Sequence, residues 1–286
     1  MILKSKYQKG IFFILIIFLF FVLFRYFQKN SIFFMPREYK LIKDMVNKIA
    51  LRNDLGEQDI GFTITAGGHA EYLGKELGIC KEENCYFLRN LNPFNKKYNN
   101  QIKQVLNQSY IFNGLEAYAW RNGVVEIAHS NFFFFGLKKE YFSCLIAHEL
   151  AHILENHRHK RQIEFQKKLN SLESRSSLSE SDLENLQSQV DRNLEIKADQ
   201  FGAMMVFNSG YDKYTCLKAL RSFGVREAFE VETLKDSTHP GFIEREKALR
   251  KYLDTLKKDK NINSISSKKW RWIYDREKNI LTFRYL

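Results

Sequence analysis

Hydrophobic positions fall into blocks whose periods differ along the chain. From Ile11 to Phe24 fourteen residues are apolar without interruption, after a start that carries Lys4, Lys6 and Lys9. Leu41, Ile42, Met45, Val46, Ile49 and Ala50 then recur at helical spacing behind Pro36, a good first-turn residue, which predicts a helix to about Leu51. Ile60–Thr65 alternates as a short strand, and Ala66-Gly67-Gly68 turns the chain. Residues 69–113 mix short helical pieces with Asn-rich loops, and His69 among them reads as a surface histidine. Leu115–Trp120 and Val124–Ala128 flank Arg121-Asn122-Gly123, a strong hairpin signal.

The second half is dominated by helical periods. Phe132–Phe135 is expected as a buried strand or loop, or as an apolar lip facing substrate or membrane. Cys144–Leu154 is an apolar helical run, continuing through Glu155 to His157 and His159, both expected to be exposed. Residues 171–181 are serine-dense and read as a mobile surface loop. Another helix is expected from near Asp182 past Val206, with Ala198, Gly202 and Ala203 forming a closely packing face. Lys247–Leu256 suits a last helix. Residues 268–274 and 280–285 read as a hairpin whose alternating aromatics pack onto the domain. The sum is an α+β fold, mostly α, with a small edge sheet.

The first apolar block decides where such a domain works. As a helix its fourteen residues rise about 21 Å, short of the roughly 30 Å hydrocarbon core unless Arg25, Tyr26 and Phe27 extend it. No small-residue cleavage pattern follows, so an uncleaved single-span anchor over 11–27 is expected; a cleaved export signal and a buried or interfacial helix are the alternatives. The organisation is then a basic tail at 1–10, the anchor, a catalytic domain at 36–258 and a basic C-terminal tail with its hairpin at 259–286. The large domain is expected outside the cytoplasm, in the periplasm if the source is bacterial.

Charge and cysteines refine this picture. The formal net charge is +12, densest between Arg245 and Arg271, and reads as a solvated basic face or as contact with an acidic membrane surface. No nucleic-acid motif accompanies it, and no nucleic-acid partner is expected. None of the four cysteines stands at a Cys-x-x-Cys metal spacing. In an oxidising compartment Cys80 and Cys85 could close a small loop, whereas Cys144 and Cys216 read as buried small hydrophobes.

The chemistry sits in the Cys144–Leu154 run, which contains His148-Glu149-Leu150-Ala151-His152. Positions four apart on a helix lie about 40° from each other, so His148 and His152 present their imidazoles from one face and can grip one Zn²⁺. Glu149, on the rim of that face, is placed to act on a water at the metal rather than to bind it. A coincidental match on a satisfied core helix is the bland alternative, but three ionisable groups in an apolar helix need a reason. A catalytic zinc wants a third protein ligand and an open position. Glu195 offers that ligand from the second helix, and Asp199, four residues on, would accept a hydrogen bond from a liganding histidine and fix its tautomer.

Three blocks in this order resemble the membrane-linked zinc metallopeptidases related to HtpX and to the CAAX prenyl protease, with the gluzincin arrangement of ligands. They are His148-Glu-Leu-Ala-His152, then Glu195-Ile-Lys-Ala-Asp199-Gln-Phe-Gly202, then Ser237-Thr-His239-Pro240 with Arg245 six residues after the histidine. The likeness runs over about residues 38–255. It implies a zincin-like domain with one Zn²⁺ per chain, held by His148, His152 and Glu195, with Asp199 behind them. It also implies that His239 stabilises an oxyanion and that Arg245 orders that loop and its acids, both counted with Glu149 in the catalytic machinery.

Glu116-Ala117-Tyr118-Ala119 resembles the family's substrate-binding edge strand, with glutamate where asparagine is usual. A single candidate span, against several in HtpX and the prenyl protease, points to a single-anchor exported branch. The expected activity is zinc-dependent endopeptidase cleavage of unfolded or extended polypeptide in envelope protein quality control, with Glu149 as the base. The alternative is a membrane-tethered zinc-containing binding or chaperone-like module with little proteolysis.

Overall fold

Ile60–Thr65 (β1), Ala117–Ala119 (β2), Val124–Ala128 (β3), Trp270–Asp275 (β4) and Ile280–Tyr285 (β5) form one sheet in the computed structural model, in the order β2-β3-β1-β5-β4. Residues 13–22, 35–81, 84–112, 114–136, 138–172, 178–225, 230–257 and 269–286 are described. Both expected hairpins are present. β1 then joins them, running parallel to β3 with Gly61 opposite Val124 and antiparallel to β5 with Ile60 opposite Phe283. The fold of the described residues is thus mostly helical α+β with one small, mixed sheet of five strands. β1 lies at its centre and is buried on nearly every position, so Ile60, Phe62 and Ile64 pack into the same core as Trp272, Tyr274, Leu281 and Phe283 from the C-terminal hairpin.

Polar ties fix this arrangement. Tyr39, on helix α2 (Arg37–Ala50), donates to the Asn279 carbonyl at 2.6 Å and accepts from the Ile64 N–H at 3.1 Å. Asn279, in the left-handed region at φ 53°, donates back to the Ile64 carbonyl at 2.6 Å. The indole N–H groups of Trp270 and Trp272 both donate to Asn47 on α2 at 2.8 Å, which ties β4 to that helix. The opposite edge, β2, carries no further strand among the described residues.

The remaining helices in chain order are α3 (Gly68–Glu76), α4 (Tyr86–Arg89), α5 (Asn100–Tyr110), α6 (Ser130–Phe135), α7 (Lys139–Leu154), α8 (His157–Asn170), α9 (Glu180–Asn208), α10 (Thr215–Val225) and α11 (Phe242–Thr255). Before them all, residues 13–22 form a helix, α1, with its hydrophobic side chains exposed. Among the described residues no helix is long and apolar enough to cross a membrane. The rest of the 11–27 segment, residues 173–177 of the serine-rich stretch and residues 258–268 lie outside the described residues.

Four local expectations are corrected. The phenylalanine run is the short helix α6, with Phe134 and Phe135 buried and Phe135 stacked on Phe142 at 4.8 Å. The metal helix does not continue to His159: α7 ends at Leu154, and Asn156 at φ 49° turns the chain before α8 begins. His157 is consequently buried rather than exposed. Cys144 on α7 and Cys216 on α10 are not free thiols but a disulfide, with Cα atoms 5.4 Å apart; Cys80 and Cys85 form the other.

Candidate active site

The site is made where α7 and α9 touch. Their approach is close because Gly202 faces α7 without a side chain: a Cβ there would stand 2.9 Å from the His148 backbone nitrogen and 3.0 Å from the Ala147 carbonyl carbon. Ala147 and Ala198 are fully buried and Ala203 nearly so. Small residues at this crossing let the two helices bring polar side chains together above it.

Three donors converge there. His148 Nε2 lies 3.2 Å from His152 Nε2 and 3.2 Å from one Glu195 oxygen, and His152 Nε2 lies 3.3 Å from the other. A tetrahedral zinc with bonds of about 2.0–2.1 Å holds its ligand atoms about 3.3–3.4 Å apart. The spacing fits such an ion, and His148, His152 and Glu195 are the residues that could hold it. The chemistry of the donors agrees. His148 Nδ1 is 3.0 Å from Asp199, so a proton belongs on that side, and Nε2 is the atom that a cation would take in place of its own proton. Burial works against a charged His148, yet the hydrogen bonds it donates to Asp199 and Glu195 hold its pKa up at about 10: the pocket favours positive charge at this point.

The groups behind the triad are themselves tied down. Arg245, on the first turn of α11, donates to both Asp199 oxygens at 2.8 and 2.7 Å. Burial alone would raise the Asp199 pKa; the guanidinium overcomes it and holds the carboxyl at about 2. Arg245 thus sits behind the metal ligands, orienting Asp199. On the other flank His157 Nδ1 is 3.1 Å from His152 Nδ1, its side chain is 3 % exposed, and its Nε2 has no hydrogen-bond partner. If His152 gives Nε2 to a metal, its Nδ1–H donates to His157. Sequence reasoning missed this contact because it kept α7 straight through residue 159. The available signal was Asn156, a residue type that tolerates the left-handed turn.

Glu149 is buried at the base of the cleft, and burial raises its pKa despite the neighbouring histidines. His239 approaches from the solvent side, 60 % exposed, with Nε2 3.6 Å from Glu195. Ala117, Tyr118, His148 and Glu149 line two adjoining cavities of about 260 and 930 Å³. The edge strand β2 therefore runs alongside the triad with its outer side unpaired by any strand. Glu116, just ahead of it, accepts from the Gly68 N–H at 2.7 Å and pairs with Arg89 at 2.8 Å. It anchors the strand to α3 and α4 instead of facing the cleft alone.

Comparison with known proteins gives one match: the sequence model of Peptidase family M48 covers residues 95–253. That stretch contains α7, α9, the edge strand and the first turns of α11. No curated protein and no solved structure matches the chain.

Proposed function

The chain belongs to peptidase family M48, and from that membership we propose that it is a zinc-dependent endopeptidase with Glu149 as general base and His148, His152 and Glu195 as metal ligands. M48 peptidases are zinc-dependent metallopeptidases, and the three donors fit the metal. The observation that carries the reading is the buried glutamate next to the triad and open to a cleft along an unpaired edge strand. A purely structural zinc would not need it.

When bound, zinc would supply the Lewis acidity that polarises a scissile carbonyl and acidifies water. Glu149 takes the proton of the attacking water and delivers it to the leaving amine, and its raised pKa suits both transfers. Asp199 keeps the His148 proton on Nδ1, and Arg245 keeps Asp199 ionised. His239 faces the cleft from the side where oxyanion charge develops. Substrate adds to β2 as an extended strand, so main-chain hydrogen bonds supply much of the affinity.

The proposal extends to place. Two disulfides support an oxidising compartment, and the apolar 11–24 block supports tethering at a membrane, with signal cleavage as the alternative. Unfolded envelope proteins are the substrates this setting provides, in keeping with the single-anchor branch the sequence resembles. The test compares the wild type with Glu149→Gln for zinc content and casein cleavage. Equal zinc with cleavage reduced by at least about 10³-fold is expected. Equal cleavage overturns the assignment, and zinc without cleavage in both proteins favours a binding module.

A further inference from the structure

The cleft differs in chemistry on its two sides of Glu149. Away from the triad and Arg245 the wall of the smaller cavity is apolar: Leu115, the Cys144–Cys216 disulfide, Leu220, Phe223 and Leu249 form it. The larger one opens past Trp120 and is lined by Arg121, Arg158 and His159. β2 passes along both, from Leu115 at the apolar arm to Arg121 at the basic one.

The basic arm is not neutralised from within. Asp191 is engaged by Arg161 and Gln187, and Glu195 lies against the two histidines. Arg121 and Arg158 are exposed, and neither has an acidic or hydrogen-bonding side-chain partner among the described residues. Arg121 sits on the turn between β2 and β3, three residues beyond Tyr118.

Resting on the endopeptidase reading, we infer that the cleft selects extended polypeptides with an apolar side chain beside the scissile bond and acidic side chains on the opposite side. The apolar wall of the smaller arm takes the apolar group, which leaves water as it docks. The arginine rim attracts carboxylates and repels lysine-rich segments, which is discrimination by both attraction and repulsion.

The test uses the full chain loaded with zinc and three fluorescent peptides. These share one leucine-centred core and differ only in a flank of aspartates, glutamines or lysines. Binding is measured by anisotropy on the Glu149→Gln background, where turnover does not interfere, and kcat/KM on the active enzyme. Aspartate is expected to bind best and lysine worst, with about tenfold between them at low salt and less at high salt. Arg121→Glu with Arg158→Glu should reverse the order, and the paired Gln substitutions should level it. An order unchanged by charge reversal, or equal binding of all three peptides, overturns the inference. Because affinity is read without catalysis, a chain that binds in the expected order yet cleaves nothing counts against the peptidase reading and leaves the charge selection standing.

Discussion

Glu149, Glu195 and Asp199 are three buried or nearly buried acids within one small space, faced by Arg245 and by the imidazoles of His148 and His152. With both imidazoles neutral this set carries excess negative charge, which a divalent cation held by His148, His152 and Glu195 would offset. The motif H-E-x-x-H and the spacing of Glu195 to Asp199 were legible in the sequence because both obey the four-residue period of a straight helix. His157 was not, since its approach to His152 depends on a helix break. Its side chain sets the orientation of a ligand rather than binding the ion. His157→Leu should therefore weaken zinc about 10- to 100-fold, and His157→Asn, which still offers an acceptor, should recover most of the loss. Competition with a chelator measures both; equal affinity in all three proteins would remove His157 from the site.

At the level of elements, α7 is held on several sides. Gly202 admits α9, Phe135 stacks on Phe142, and Cys144 is bonded to α10 four residues, about one helical turn, before His148. That covalent tie could not be read from sequence, because a cysteine on an apolar helix face looks the same whether or not a partner 72 residues later folds against it. The two disulfides close loops of very different length, five and 72 residues apart. Chain-entropy arguments give about 2 kcal/mol for the short loop and about 4 kcal/mol for the long one. Cys144→Ala with Cys216→Ala should thus lower the denaturation midpoint roughly twice as far as Cys80→Ala with Cys85→Ala. Equal losses would show that strain or residual structure outweighs loop length.

Across the whole molecule, the sheet depends on contacts between the two ends of the domain. All five strands were visible as alternating segments, whereas their union was not, since pairing of β1 with β5 leaves no local trace. Tyr39 and Tyr274 lie in the core at this union. Burial pushes both phenols up, Tyr274 to about 12 and Tyr39 further. Their folded pKa values stand above the ordinary value near 10, so the neutral forms stabilise the fold. That stabilisation is fully present below about pH 10 and is lost as pH rises toward 12 and beyond. Urea midpoints at about pH 9, 10 and 11 should be level and then fall; Tyr39→Phe should start lower, with the Ile64 N–H deprived of its acceptor, and fall less steeply. A midpoint that does not respond to alkali would contradict the buried phenols.

The same union has a meaning in time. Roughly 220 residues separate Ile60 from its partner Phe283, and synthesis at about 5–20 residues per second therefore leaves ~10–45 s between their appearances. Through that interval the growing chain has an unmatched flank on β1, a template for wrong partners. His148, His152 and Glu195 have all been made well before it closes. An ion caught early would draw α7 and α9 together while the sheet is still open, so metal supply and escort of the nascent chain bear on the yield of folded protein before any substrate is met.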